Sequence, residues 1–326
     1  MKIGTTLIGL EDILKKDVRG KIIYPGRVLF SKGNSGASLI VYDYLTSFKF
    51  NNEEDIYNKV KKIKFKIKKT FRVDCSRQGK HKFSSQDIKG NVGELINKKV
   101  NLNNPETIIY IDIVDDFCII GLNPENVGKR NYKVRVNNDT LNACVAYSLL
   151  KLTKFSKTKI LLDPFCSDGT ILIEAGLLGG KKLYGLSQDI KNASINSKIA
   201  KVKLNLYKEN LNWLDTLFKQ NSVDLIISKS VYPSKRRKLE DVDKIIKELF
   251  HQASYILKKN GSMLLISPKI ELFEKYSKIY KFKMKHELNV LTGNEEYKVL
   301  SFKKAIYFCA RLASPVLRTP KAQPTR

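Results

Sequence analysis

The chain has 326 residues, 42% of them hydrophobic, enough for one large domain or for two to three smaller ones with separate cores. Sixty Lys and Arg against 32 Asp and Glu give a net charge of +28. Such an excess favours a polyanionic partner, bound through phosphate contacts and counterion release, although a Lys- and Ile-rich background would raise the charge as well. No run of about 18 apolar residues exists, the N-terminal stretch is broken by Glu11 and Asp12 before it could serve as a signal peptide, and no basic amphipathic helix stands out. No membrane partner is therefore expected. Cys75, Cys118, Cys144, Cys166 and Cys309 form no CxxC pair, and His81, His251 and His286 lack ligand spacing. Neither a metal site nor a disulfide framework is expected, and the cytoplasm is the default compartment.

Residues 1–50 open with a short helix over 11–16, after which Gly20, Pro25-Gly26 and Gly33 punctuate strands expected over 24–30 and 38–44. Over 51–72 the spacing of Ile56, Val60, Ile63 and Ile67 predicts a helix ringed by Lys59, Lys61, Lys62, Lys64, Lys66, Lys68 and Lys69; its last part, 66–73, reads equally as a strand. Such a run is either a solvated face or an RNA-facing one. A strand over 71–73 leads into a polar, basic loop holding Arg77, Lys80, His81 and Lys82. Ser84 then caps a helix reaching 98, and strands over 107–114 and 117–122 meet at Asp115-Asp116 in a hairpin.

A helix is expected over 141–152, and beyond it strand and helix alternate. Apolar strands read at 159–162, 182–186, 223–227 and 262–267, helices at 170–178, 192–201 and 241–257, and a terminal hairpin at 286–291 and 297–302 around Gly293. This alternation predicts a doubly wound, mostly parallel sheet with an antiparallel edge, whose ligands sit at the carboxyl ends of the strands. The stretch from 305 to 326 has Pro and Arg but no acid or Ile, and reads as a disordered tail.

The sharpest segment follows the first of these strands: Asp163-Pro164-Phe165-Cys166-Ser167-Asp168-Gly169-Thr170, running into Ile171-Leu172-Ile173-Glu174-Ala175. A tight turn of small residues between strand and helix brings backbone N–H groups and a helix start against a ligand. The segment resembles the DPFCGSGTILIEA motif of class I S-adenosylmethionine (SAM) tRNA guanine-N2 methyltransferases of archaeal type that carry an N-terminal THUMP module. The ordered features upstream resemble that module: the strand over 71–73, Cys75-Ser76-Arg77, His81, Phe83, Asp87, then 100–106 and the hairpin. Residues 129–135 resemble the family's connector.

The resemblance implies a Rossmann-like α/β methyltransferase domain over 157–304, preceded by a small ferredoxin-like region over 1–50, an α+β THUMP domain over 51–135 and a linker helix over 136–156. It implies SAM as cofactor and tRNA as partner, to a protein acting as a monomer or with a small activating subunit. Asp163 would hold the methionine amino group, with Phe165, Ser167, Asp168, Gly169 and Thr170 forming the loop. Ser187, Gln188 or Asp189 would meet the ribose, and Asp215 the adenine amino group. Lys229, Ser230, Val231 and Tyr232 occupy the place of the family's catalytic Asn-Pro-Pro-Tyr, with Tyr232 able to stack on a flipped base. Arg77, Lys80 and Lys82, and the basic run Lys235, Arg236 and Arg237, would contact RNA phosphates or else form ordinary exposed turns.

The departures have physical consequences. Ser167 stands where the family has its central glycine, and Asp168 introduces a carboxylate that needs a partner or would repel the methionine carboxylate. Lys229 offers three donors and no acceptor, where methylation of a guanine amino group needs acceptors for its hydrogens. Three readings follow: an active tRNA methyltransferase, an inactive paralogue that binds tRNA, or methylation of another atom such as a ribose hydroxyl.

Overall fold

The structure, a computed structural model, describes residues 1–137, 140–235, 237–293 and 295–305. Most of the expected tail, from 306, and Arg236 lie outside the described residues. The N-terminal half carries β1 (Lys2–Thr5), α1 (Glu11–Val18), β2 (Lys21–Tyr24), β3 (Arg27–Phe30), β4 (Val41–Lys49), α2 (Glu53–Lys61), β5 (Thr70–Gln78), α3 (Ser85–Glu94), β6 (Lys99–Val100), β7 (Thr107–Val114) and β8 (Phe117–Glu125). After α4 (Ala143–Leu152) come β9 (Ile160–Asp163), α5 (Thr170–Leu177), β10 (Lys182–Leu186), α6 (Lys191–Ile199), β11 (Asn205–Tyr207), α7 (Leu214–Leu217), β12 (Val223–Lys229), α8 (Leu239–Ile256), β13 (Leu257–Ser267), α9 (Glu271–Ile279), β14 (Phe282–Thr292) and β15 (Glu295–Lys304).

Local chemistry explains where elements depart from expectation. The strand expected over 24–30 is folded at Pro25-Gly26 into the β2–β3 hairpin, with Gly26 at φ +71°. The helix expected over 51–72 stops at Lys61, because the apolar period changes after Val60. Ile63, Phe65 and Ile67 pack on the core while Lys62, Lys64, Lys66 and Lys68 stay exposed, a period of two without strand pairing. Ser84 and Asp87 form a reciprocal capping box on α3, as the sequence suggests.

The first sheet runs β2-β3-β1-β4-β8-β7-β5-β6. Pairing of β4 with β8 joins the first 50 residues and the segment after them into this one sheet. Across its buried face Arg27 grips Asp112 with two hydrogen bonds of 2.7 Å, and the Tyr42 hydroxyl donates to the same carboxylate at 2.9 Å. The second sheet runs β11-β10-β9-β12-β13-β15-β14, parallel except at β15 and β14. The predicted doubly wound sheet with its antiparallel edge is thus present. Helices α8 and α9 cover one face through Ile246, Leu249, Phe250 and Phe273, set against Leu162, Ile226, Leu265 and Phe302. On the other face, Leu161, Leu172, Leu225 and Ile266 share one core with Val145 and Leu149 of α4, with Leu14 of α1 and with Leu10 just before it. The two halves therefore share apolar packing, to which Arg130 adds a two-point ion pair with the buried Glu174 of α5 at 2.9 and 3.2 Å.

Candidate functional site

The chain leaves β9 toward β10 and β11, then returns to β12 on the other side of β9. This reversal opens a crevice at the carboxyl ends of β9 and β12, the position where open α/β sheets take ligands. A cleft of about 590 Å³ lies there. Its walls include Pro164, Phe165 and Ser167 after β9, Ser187 and Gln188 after β10, Glu209, Asn210 and Leu211 after β11, and Lys229, Ser230 and Val231 at the end of β12.

Of the residues expected at a cofactor, Phe165, Ser167, Ser187 and Gln188 line this cleft, whereas Asp163, Asp168, Gly169 and Thr170 are buried. Asp163 is buried at the end of β9, where one oxygen accepts from the Ser228 hydroxyl at 2.5 Å and from the Phe165 N–H at 3.2 Å. Burial pushes the Asp163 carboxyl up to about 7, against the lowering pull of the Ser228 bond. Ser167 sits in the left-handed region at φ +49°, which explains why a glycine suits this position, and its hydroxyl donates to Asn137 at 2.8 Å.

Asp168 does not face the cleft. It is buried on the far side of the loop, where its carboxylate accepts from Thr140 and Thr170 at 2.9 and 2.8 Å and lies 3.4 Å from Lys133. The repulsion expected from this carboxylate is thereby removed. Gly169 is the N-cap of α5 at φ +81°. A Cβ there would press on Ala193 of α6 at 3.1 Å, so helix packing and the left-handed φ both favour glycine here.

Three expected residues lie elsewhere. Asp189 turns from the cleft and accepts from the Lys191 N–H at the start of α6. Asp215 is exposed in the first turn of α7, outside the cleft. Asn210, three residues after β11, lines the cleft instead and is bonded to Gln188. Tyr232 lines a neighbouring, mostly apolar pocket of about 430 Å³ with Pro233, Val242 and Phe273, and its side chain also hydrogen-bonds Tyr297, the ring that Lys229 faces. Sequence reasoning also missed Asn137, which approaches from just past the connector, and Lys244 and Glu248, one turn apart on α8.

At the expected catalytic position, Lys229 holds its ammonium 5.3 Å from the centre of the Tyr297 ring. Ser230 is anchored by its N–H to the Ile266 carbonyl at 3.1 Å, with its hydroxyl donating to the Val231 carbonyl at 3.3 Å. Arg237, expected at RNA, lines the cleft beside Lys229 and Lys244. Lys80, Lys82 and Lys235 are exposed, while Arg77 is half-buried and pairs with His81 at 3.1 Å. Among the described residues, no helix is long and apolar enough to cross a membrane.

Comparison with known proteins agrees with this geometry. Residues 130–298 match the family model UPF0020, described as an RMKL-like methyltransferase domain, and residues 50–123 match the THUMP domain. The tRNA (guanine(6)-N2)-methyltransferase of Methanocaldococcus jannaschii is 28% identical over 298 residues, covering 74% of this chain and 78% of that protein. The protein of the same name from Archaeoglobus fulgidus is 30% identical over 206 residues, 54% of this chain and 53% of that protein. Among solved structures, TrmN from Thermus thermophilus superposes with a TM-score of 0.75 at 20% identity, over 93% of this chain and 99% of that one. SMU.472, solved as a complex with SAH, gives 0.75 at 17% identity, over 93% and 98%. These two likenesses show the fold. The chain belongs to the UPF0020 family of RMKL-like methyltransferase domains, with a THUMP domain ahead of the methyltransferase domain.

Proposed function

We propose that this chain is a SAM-dependent tRNA methyltransferase of the guanine-N2 type. The observation that carries the reading is the cleft at the reversal point of the sheet, walled by the very loop, 163–170, that resembles the family's cofactor motif. The residues present fit the cofactor: the cleft has the size of a small-molecule site, with apolar walls at Phe165 and Leu211 and polar groups at Ser187, Gln188 and Asn210. In this reading Ser187, Gln188 and Asn210 would hold the ribose and adenine, Ser167 and Asn137 would wall the methionine end, and Asp163 would hold its ammonium. Bound there, SAM supplies an electrophilic methyl group. The chain's own part is to hold the accepting nitrogen in line and take up its hydrogens, for which Ser230 is the acceptor at the end of β12. The working unit is read as a cytoplasmic monomer on tRNA, with a small activating subunit the component to add if turnover is absent.

Transfer of labelled methyl from SAM to unmodified tRNA, with the product nucleoside identified by mass, tests the proposal: N2-methylguanosine supports it, and methyl on another atom refutes the guanine-N2 assignment. A second reading, a tRNA-binding member without turnover, is favoured by Lys229, which puts donors and positive charge where acceptors are needed. It predicts tight tRNA binding with no transfer.

Two further outcomes are expected. An ammonium ligand needs Asp163 ionised. Because this carboxyl is raised to about 7, SAM affinity should climb about tenfold per pH unit from acid toward pH 7 and level off above it. Asp163→Asn should flatten that profile. The same shift means the unliganded fold takes up a proton here on folding, so this group's contribution to stability falls as pH rises from the usual carboxylate range to 7. Separately, Lys80→Glu with Lys82→Glu, both exposed, should weaken tRNA binding and reduce the slope of log affinity against log salt by about 1 to 2. Filter binding across a salt series measures it; an unchanged slope removes these lysines from the RNA surface.

A further inference from the structure

The cofactor loop is held from outside by the segment that joins the two halves of the molecule. Lys133, buried but for a small part of its side chain, donates to the Leu141 carbonyl at 2.6 Å and to the Thr170 hydroxyl at 3.1 Å, with Asp168 at 3.4 Å. Thr140 donates to the same Asp168 carboxylate at 2.9 Å. Arg135 and Asn196 exchange two backbone-to-side-chain bonds, at 3.0 and 2.7 Å, and the Asn196 amide also donates to the Asp168 carbonyl at 3.0 Å. Asn137 accepts from Ser167 and faces the cleft. Residues in and just past the connector thus engage the side chains of Ser167 and Asp168 in the turn and of Thr170 at the first position of α5. Glycine at 167 or serine at 168, as in the family motif, could not make these bonds in the same way. The two departures that look like decay in the sequence are each matched by a partner in or just past the connector.

We propose that the connector, with Asn137 and Thr140 just past it, is part of the cofactor site: Lys133 and Thr140 are positioning residues that fix the loop through Asp168, and Asn137 holds Ser167 in its left-handed conformation while forming one wall of the cleft. A buried carboxylate contributes to such a fixture only while its partners remain, because an unpaired one is costly to keep dry. The physical consequence is coupling: residues remote in sequence from the binding motif set its affinity.

The inference rests on the proposed cofactor, and the experiment separates the two. Lys133→Met, Thr140→Val and the pair Lys133→Met with Asp168→Ser are compared with wild type by calorimetric titration with SAM, and by amide exchange of residues 164–172 in the unliganded chain. Lys133→Met should weaken SAM binding by about tenfold or more and speed loop exchange, while exchange in β12 and β13 stays slow. Adding Asp168→Ser should return affinity to within about threefold of wild type, since the stranded charge is gone. Lys133→Arg should retain most of the affinity. If Lys133→Met does not fold, Thr140→Val reads the same link with one bond removed. Unchanged exchange in the single variants, or a double variant no better than Lys133→Met, would overturn the inference. A wild-type chain that ignores SAM would defeat the proposed function instead, with loop exchange still deciding the connector's role.

Discussion

Gly169→Val is expected to abolish SAM binding and to lower stability by about 2–5 kcal/mol. Gly169 sits at φ +81°, a region that a β-branched side chain does not tolerate. Its carbonyl already accepts from the Ile173 N–H at 2.9 Å, and its N–H donates to Cys166 at 2.7 Å, so the backbone cannot rotate without undoing the start of α5. A new Cβ would lie 3.1 Å from the Ala193 Cβ and 3.3 Å from its Cα, and the further methyls of valine would drive α6 outward. The residues leading into α6 include Ser187 and Gln188, which wall the cleft, so the packing defect reaches the binding site. Gly169→Ala should show a graded version, since a single Cβ asks Ala193 to give by a few tenths of an ångström. Urea melts measure the stability and calorimetry the binding. SAM affinity within twofold of wild type for the valine variant would place the cofactor elsewhere.

Asp112→Ala should cost about 3–5 kcal/mol, the largest loss expected from a single truncation in the N-terminal half. Arg27 and Asp112 are both almost wholly enclosed, and the guanidinium gives two hydrogen bonds to the carboxylate. Removing the acid strands a buried positive charge and the Tyr42 hydroxyl together. The paired change Arg27→Met with Asp112→Leu should cost much less, because it removes the charge along with its partner. Chemical denaturation of both variants decides this. A loss below about 1 kcal/mol for Asp112→Ala would mean that water or another group reaches Arg27. This pair bridges β3 and β7, strands from the first 50 residues and from the segment matching THUMP, so its loss should loosen the RNA-binding half as one sheet.

Periodicity and resemblance made the alternation of β9 through β13 legible, along with the terminal hairpin and the loop at Asp163, because each is a local pattern read along one stretch of chain. The fate of individual side chains was not legible. Asp168 reads as a hazard in sequence and proves to be satisfied, since Lys133 and Thr140 come from 35 and 28 residues earlier and no local rule pairs them. Asp215 has suitable spacing, yet the turn of α7 carries it out of the cleft and leaves Asn210 inside. Tyr232 follows β12 as expected, but it lines the neighbouring apolar pocket and bonds Tyr297 rather than facing the cleft. In each case the residue type was readable, and the direction of its side chain depended on tertiary packing.

Calorimetric titration of the purified chain with SAM, with and without unmodified tRNA, tests the central claim most directly. The altered loop, braced by the connector, predicts binding in the micromolar range, roughly −8 kcal/mol. Absence of binding in both states, alongside tight tRNA binding, would contradict the account and leave a methyltransferase fold that holds RNA without its cofactor.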